Sequence, residues 1–237
     1  MSAKSLSEML LASAEAIGGR AIAEMYRDPF WDERFGPRGR RFSDEDSRHH
    51  VSYLAAALDA NDPQVLTKYA HWLRGVLVSR GMCSRHLAEN YRRLARAIEA
   101  EEIPGARDAA ALLEQAITAL LYPPGPSRRL QDASGEIAAR LAAEWVAREP
   151  APGAELRDRA EADLAQHLSY LADACACGRP ELFVTYARFF AGFAERRGLP
   201  KQSWLELLGE IAREAGAIDP GLERIACLAR EELRGEA

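Results

Sequence analysis

Apolar residues recur along this chain at three- and four-residue spacing nearly from end to end, and no segment alternates apolar with polar for long, so the pattern predicts helices and no sheet. Val51, Leu54, Ala57 and Leu58 share one arc of a helical wheel. Val65, Leu66, Tyr69, Trp72, Leu73 and Val76 form a second stripe. Punctuation then divides the pattern. Residues 5–28 read as helix, loosened at Gly18-Gly19, and residues 29–42 read as a loop. Ser43-Asp44-Glu45-Asp46 resembles a capping box and is expected to open a helix running to residue 60. Asp62-Pro63 offers an N-cap and a first-turn proline for a helix ending at Gly81. Helices over 84–101 and 106–121 follow, and Tyr122-Pro123-Pro124-Gly125-Pro126 reads as a linker because three prolines remove donors and fix φ. Beyond it, helices are expected over 127–149, 154–177, 180–197, 201–216 and 220–234.

The second half repeats the first. An offset of 117 sets His50-x-Ser52-Tyr53-Leu54-Ala55 on His167-x-Ser169-Tyr170-Leu171-Ala172, Tyr69 on Tyr186 and Arg80-Gly81 on Arg197-Gly198. Residues 50–100 and 167–217 share 16 identities in 51 ungapped positions. Chance gives roughly 4 in so alanine-rich a composition, so duplication is the better account. The expected fold class is therefore all-α, two tandem helical units of about five helices each, the first over 1–122 and the second over 127–237, joined by a linker at 122–127. Tyr53 and Tyr170 are expected to pack in the same way, each near the junction with the helix that starts at Pro63 or Pro180.

From Ser43 through Ala100, the order of Asp46, Tyr53, apolar Leu54 to Leu58, Asp62-Pro63 and a helix ending in Gly81 resembles the central helices of the phycobiliprotein branch of the globin superfamily. That family has Cys-x-x-Asp with a tyrosine seven residues after the aspartate. Asp46 and Tyr53 keep the spacing, as do Asp163 and Tyr170, but Ser43 and Ala160 stand where the bilin-attaching cysteine would be. The resemblance implies two globin-like units without covalent chromophore, a fold also used by bacterial sensor proteins that carry no haem.

The inward-pointing histidines are the first functional candidates. His50 and His167 fall within the apolar arcs of their helices, where a histidine either satisfies the core by hydrogen bonding or faces a ligand. A ligand pocket would be lined by His50, Tyr53, Tyr69 and Trp72 in the first unit, and by His167, Tyr170, Tyr186 and Phe189 in the second. His71 falls with Thr67, Lys68 and Arg74 on the polar side, and its counterpart Arg188 cannot serve as an ordinary haem ligand. Residues 30–42 concentrate four arginines, Arg34, Arg38, Arg40 and Arg41, among four aromatics. Such a set can grip an anion or a partner, or its aromatics can plug the core while the arginines pair with Asp44, Glu45 and Asp46.

Charge and cysteine usage narrow the classes. A formal charge of −5 gives no global attraction to nucleic acid or to anionic lipid. Lys4, Glu8 and Glu15 interrupt the N-terminal stretch and no long uncharged apolar run occurs, so a membrane span and a secretory leader are not expected and the cytoplasm is the expected location. Cys83, Cys175, Cys177 and Cys227 have neither a disulfide framework's spacing nor a four-ligand zinc spacing, and no metal site is expected. No phosphate loop, nucleophile elbow or HExxH is present. These readings favour a non-enzymatic regulatory or interaction protein with a protein partner or self-association. The alternative is a sensor holding haem, bilin or another small hydrophobic ligand non-covalently.

Overall fold

A computed structural model describes residues 4–148 and 154–235, the side chains of 154–158 excepted. Among the described residues the chain is all-α, with eleven helices and no strand. They are α1 (Leu6–Ala12), α2 (Ala14–Met25), α3 (Pro29–Asp59), α4 (Gln64–Ser79), α5 (Ser84–Ala100), α6 (Ala106–Ala119), α7 (Pro126–Arg148), α8 (Ala154–Ala176), α9 (Pro180–Glu195), α10 (Lys201–Ile218) and α11 (Pro220–Gly235).

The sequence misplaced the first breaks. Ser5, with Glu8 three residues on, forms the capping box of α1, and the chain interrupts at Ser13 rather than at the glycines. Gly18 lies inside α2 because α3 passes close by: a Cβ there would meet the Ser47 Cβ at 3.2 Å. Residues 29–42 are helical rather than a loop. Asp28 caps α3 by accepting from the Phe30 N–H at 2.9 Å, with Pro29 in the first turn. The only departure within α3 is Gly36, at φ 61 and ψ −168, a conformation that lets the axis turn before Pro37 restarts the helix. Ser43 is accordingly mid-helix and caps nothing; its hydroxyl lies 3.4 Å from that of Tyr26. Glycine, proline and four arginines give this helix the composition of a loop.

The helices group into two compact units, Met1–Val76 with His86–Leu120, and Leu77–Arg85 with Leu121–Ala237. In the first, α3 packs on α1, α2 and α6, around Leu10, Ile17, Phe30, Leu54 and Leu113. His71 and Arg74 of α4 close the C-terminus of α6, the imidazole Nε2 meeting the Ala119 carbonyl and the Arg74 guanidinium donating to that of Leu120 at 2.7 Å. In the second, α8 lies against α7, α9 and α11, and α10 pairs with α11, around Leu168, Phe183, Phe193, Trp204 and Leu222. The corner between α4 and α5 counts with this second unit. Tyr122, expected in a linker, is buried there, its N–H donating to the Gln131 side chain at 2.8 Å.

Candidate functional site

Helical phase carries His50 and His167 inward, as the apolar arcs require, and both are buried. The next helix brings a tyrosine to each. His50 Nδ1 shares a 2.9 Å hydrogen bond with the Tyr69 hydroxyl, and His167 Nδ1 a 2.6 Å bond with that of Tyr186. Aromatic rings fill the other sides: Tyr91 stands edge-on to His50 at 5.2 Å, while Phe190 and Trp204 lie 4.4 and 4.8 Å from His167. Loss of water around the rings lowers both imidazole pKa values to about 3, helped by the charge of His49 beside His50 and of Arg159 beside His167. Burial raises the pKa values of Tyr69 and Tyr186. Neutral imidazole and neutral phenol therefore face each other at pH 7.

A second tyrosine stacks outside each pair. Tyr53 lies over Tyr69 with centroids 3.8 Å apart and planes 12° from parallel, and Tyr170 over Tyr186 at 3.6 Å and 13°. Here the two units part company, against the expectation of like packing. Tyr170 is 2% exposed and Tyr53 is 42% exposed. In the second unit the corner Leu77–Arg85 sits on this face. The Tyr170 hydroxyl donates to the Gly81 carbonyl at 2.9 Å, and the Arg85 N–H donates to Ser169 Oγ at 3.2 Å. The Ser84 N–H donates to Asp173 at 2.6 Å, the Ser84 hydroxyl donates to the same carboxylate, and Tyr122 Oη adds a third bond at 2.8 Å. Asp173 is buried, so the three donors replace the water its charge gives up. In the first unit the matching residues Ser52, Tyr53 and Ala56 are all exposed, and Trp72, 6.0 Å from Tyr69, is 62% exposed.

Sequence phase found the histidines and missed Asp173, Ser84 and Gly81. The one available signal was an aspartate amid Leu171, Ala172 and Ala174, where the first copy has Ala56. Trp72 lay on an apolar stripe and was expected inside; the stripe is wider than the surface available to cover it. Phe189, its counterpart, is half-buried beside Phe193.

The arginine-rich segment of α3 is built on its aromatics. Phe30 and Trp31 are buried, with His86 5.5 and 4.7 Å from their rings. Arg34 lies over Phe35, Arg38 and Arg41 over Phe42, and Arg40 over Tyr26 at 4.8 Å. Arg41 also reaches Glu45 at 3.9 Å, an exposed pair that contributes little. A surface cleft of about 310 Å³ runs among Arg41, Arg48, Glu15, Asp44 and Glu45, and its mixed signs give no anion site. The counterpart stretch 150–157 includes residues outside those described.

His167 also lines a cavity of about 30 Å³, with Trp145, Leu164, Phe190, Phe193 and Leu207. Among the described residues the buried Trp145 Nε1–H has no hydrogen-bond partner, and the space is that of a water or two. Ligand pockets for small organic molecules run to about 300–1,000 Å³. Among the described residues no group of three or more His, Cys, Asp or Glu could hold a metal ion, and no helix is long and apolar enough to cross a membrane. Cys83 is buried, Cys175 and Cys227 are half-buried, and Cys177 is exposed. The chain matches no family model, no curated protein and no solved structure.

Proposed function

We propose that this chain is a non-enzymatic regulatory or interaction protein of duplicated, globin-like helical units, working in the cytoplasm, and that the Tyr53–Tyr69–Trp72 face of its first unit receives a protein partner. One observation carries this reading. The face of α8 around Tyr170 is covered by a hydrogen-bonded corner in the second unit, while its counterpart on α3 is bare: Tyr53 is exposed over Tyr69, and Trp72 of the next helix is exposed 6.0 Å from the same Tyr69 ring. Exposed tyrosine and tryptophan are the residues that most often anchor protein interfaces, giving large contact area with few rotatable bonds. The tetrapyrrole reading has no comparable support. The space beside His167 is about 30 Å³, and a tetrapyrrole does not fit it.

A photo-crosslinking residue placed at position 72 tests the reading in cells. Covalent adducts at 72, lost when Tyr53→Ser is added and absent when the probe is at exposed Glu99 on α5, are expected. No adduct at 72 would remove the face from consideration.

A further inference from the structure

The covered and the bare face imply a specific occupant. The element seated on the second unit's face is an arginine-glycine corner: Arg80-Gly81 ends α4 with Gly81 at φ 84, the Met82 N–H returning to the Leu77 carbonyl at 3.1 Å and the Gly81 N–H to that of Val78 at 3.1 Å. The chain contains the same corner once more. Arg197-Gly198 ends α9 with Gly198 at φ 82, the Leu199 N–H on the Ala194 carbonyl at 3.0 Å and the Gly198 N–H on that of Glu195 at 3.0 Å. Gly198 and Pro200 are exposed. One bare face and one exposed corner therefore remain in each chain, in units whose other face and corner show how the two fit.

We infer that the bare face of the first unit binds the Arg197–Lys201 corner of a second copy of this chain; this rests on the face being an interaction site. Tyr53 Oη would donate to the Gly198 carbonyl as Tyr170 does to that of Gly81, and Ser52 Oγ would accept a backbone N–H from the first turn of α10 as Ser169 does from Arg85. That turn has such N–H groups to give, since α10 starts without a side-chain cap. The fit lacks one element. Ala56 replaces Asp173 and Lys201 replaces Ser84, so the buried carboxylate that fixes the covered corner has no counterpart. The contact is accordingly weaker and depends on concentration. It is head-to-tail, face against corner, and two such contacts close a pair when the rotation permits.

Sedimentation equilibrium of the full chain over a wide concentration range is the test, with Trp72→Glu damaging only the face and Pro200→Glu only the corner. The parent mass is expected to rise from 26.1 kDa toward twice that value. Each variant alone should stay at the monomer mass, and an equimolar mixture should associate again, because one intact face and one intact corner remain. Tyr53→Ser serves in place of Trp72→Glu should that variant lose its helical circular dichroism. Association of Pro200→Glu alone with Trp72→Glu monomeric would mean face against face and overturn the inference. So would association of both variants alone, or a monomeric parent throughout. A monomeric parent with crosslinks from position 72 to a different protein would overturn the second copy and leave the interaction site standing; a monomeric parent without crosslinks would remove both.

Discussion

The Tyr170 hydroxyl donates to the carbonyl of Gly81 at 2.9 Å, while Tyr53, the same tyrosine in the first copy, keeps its stacking partner and faces solvent. Replacing each by phenylalanine separates the hydrogen bond from the stack. Tyr170→Phe should cost about 1 kcal/mol, the net value of a neutral hydrogen bond, and lower the melting temperature by about 2–4 °C for a chain of this size. Tyr53→Phe should stay within about 0.5 kcal/mol of the parent. Equal losses in thermal melts of the two variants would contradict the difference in their surroundings.

Acid should weaken the fold through the two histidines before the carboxylates titrate. Their folded pKa values, about 3, lie below the ordinary 6.5, so the unfolded chain binds more protons between these limits. The stability they contribute is complete above pH 6.5 and is lost as pH falls toward 3. At pH 5.5 each histidine should have removed about 1.4 kcal/mol relative to neutral pH. His50→Gln and His167→Gln should each flatten the fall in melting temperature between pH 7.5 and 5.5, and an unchanged slope in both would show that the imidazoles take up protons alike in the folded and unfolded chain.

Asp173 holds three donors in a buried place, so its replacement is felt at all of them. Asp173→Asn keeps the size but turns an NH₂ toward at least one donor, and should cost about 2 kcal/mol. Ser84→Ala, which removes one of the three donors and leaves the charge buried, should cost about 1–2 kcal/mol. Urea midpoints of the two variants and their double variant measure the coupling. Additive losses would mean that the serine and the aspartate do not act as one unit.

Two glycines should respond with opposite sign. Gly36 holds φ 61 with ψ −168, where a side chain is strained whatever the space around it, so Gly36→Ala should destabilise by about 1–2 kcal/mol. Gly19 is an exposed position within α2 with nothing near an added Cβ, and Gly19→Ala should stabilise by about 1 kcal/mol. Melts of both variants check this, and a stabilising Gly36→Ala would show that the kink of α3 is not required.

Much of the architecture was written locally. The starts of α4, α9 and α11 follow from Pro63, Pro180 and Pro220, and the ends of α4, α8 and α9 from the glycines at 81, 178 and 198, because φ restriction and left-handed geometry act within a few residues. The inward direction of His50 and His167 follows from helical phase alone, which depends only on 100° per residue. The tyrosine that each would bond was not fixed by phase, since Tyr69 and Tyr186 lie on another helix, 19 residues away.

Tertiary structure decided the rest. Residues 29–42 carry loop-like composition, yet they are helical because Phe30 and Trp31 are buried beside His86 and the arginines lie over aromatic rings. The contrast between Tyr53 and Tyr170 is hardly legible in two stretches that share Ser-Tyr-Leu-Ala and differ nearby at Ala56 and Asp173, for it depends on the corner at Gly81, 89 residues from Tyr170, being seated on one copy of the face and not on the other. Periodicity tells which side of a helix is apolar. Whether that side ends up covered depends on what else the chain brings to it, and that is a property of long-range contacts, to which local spacing is blind.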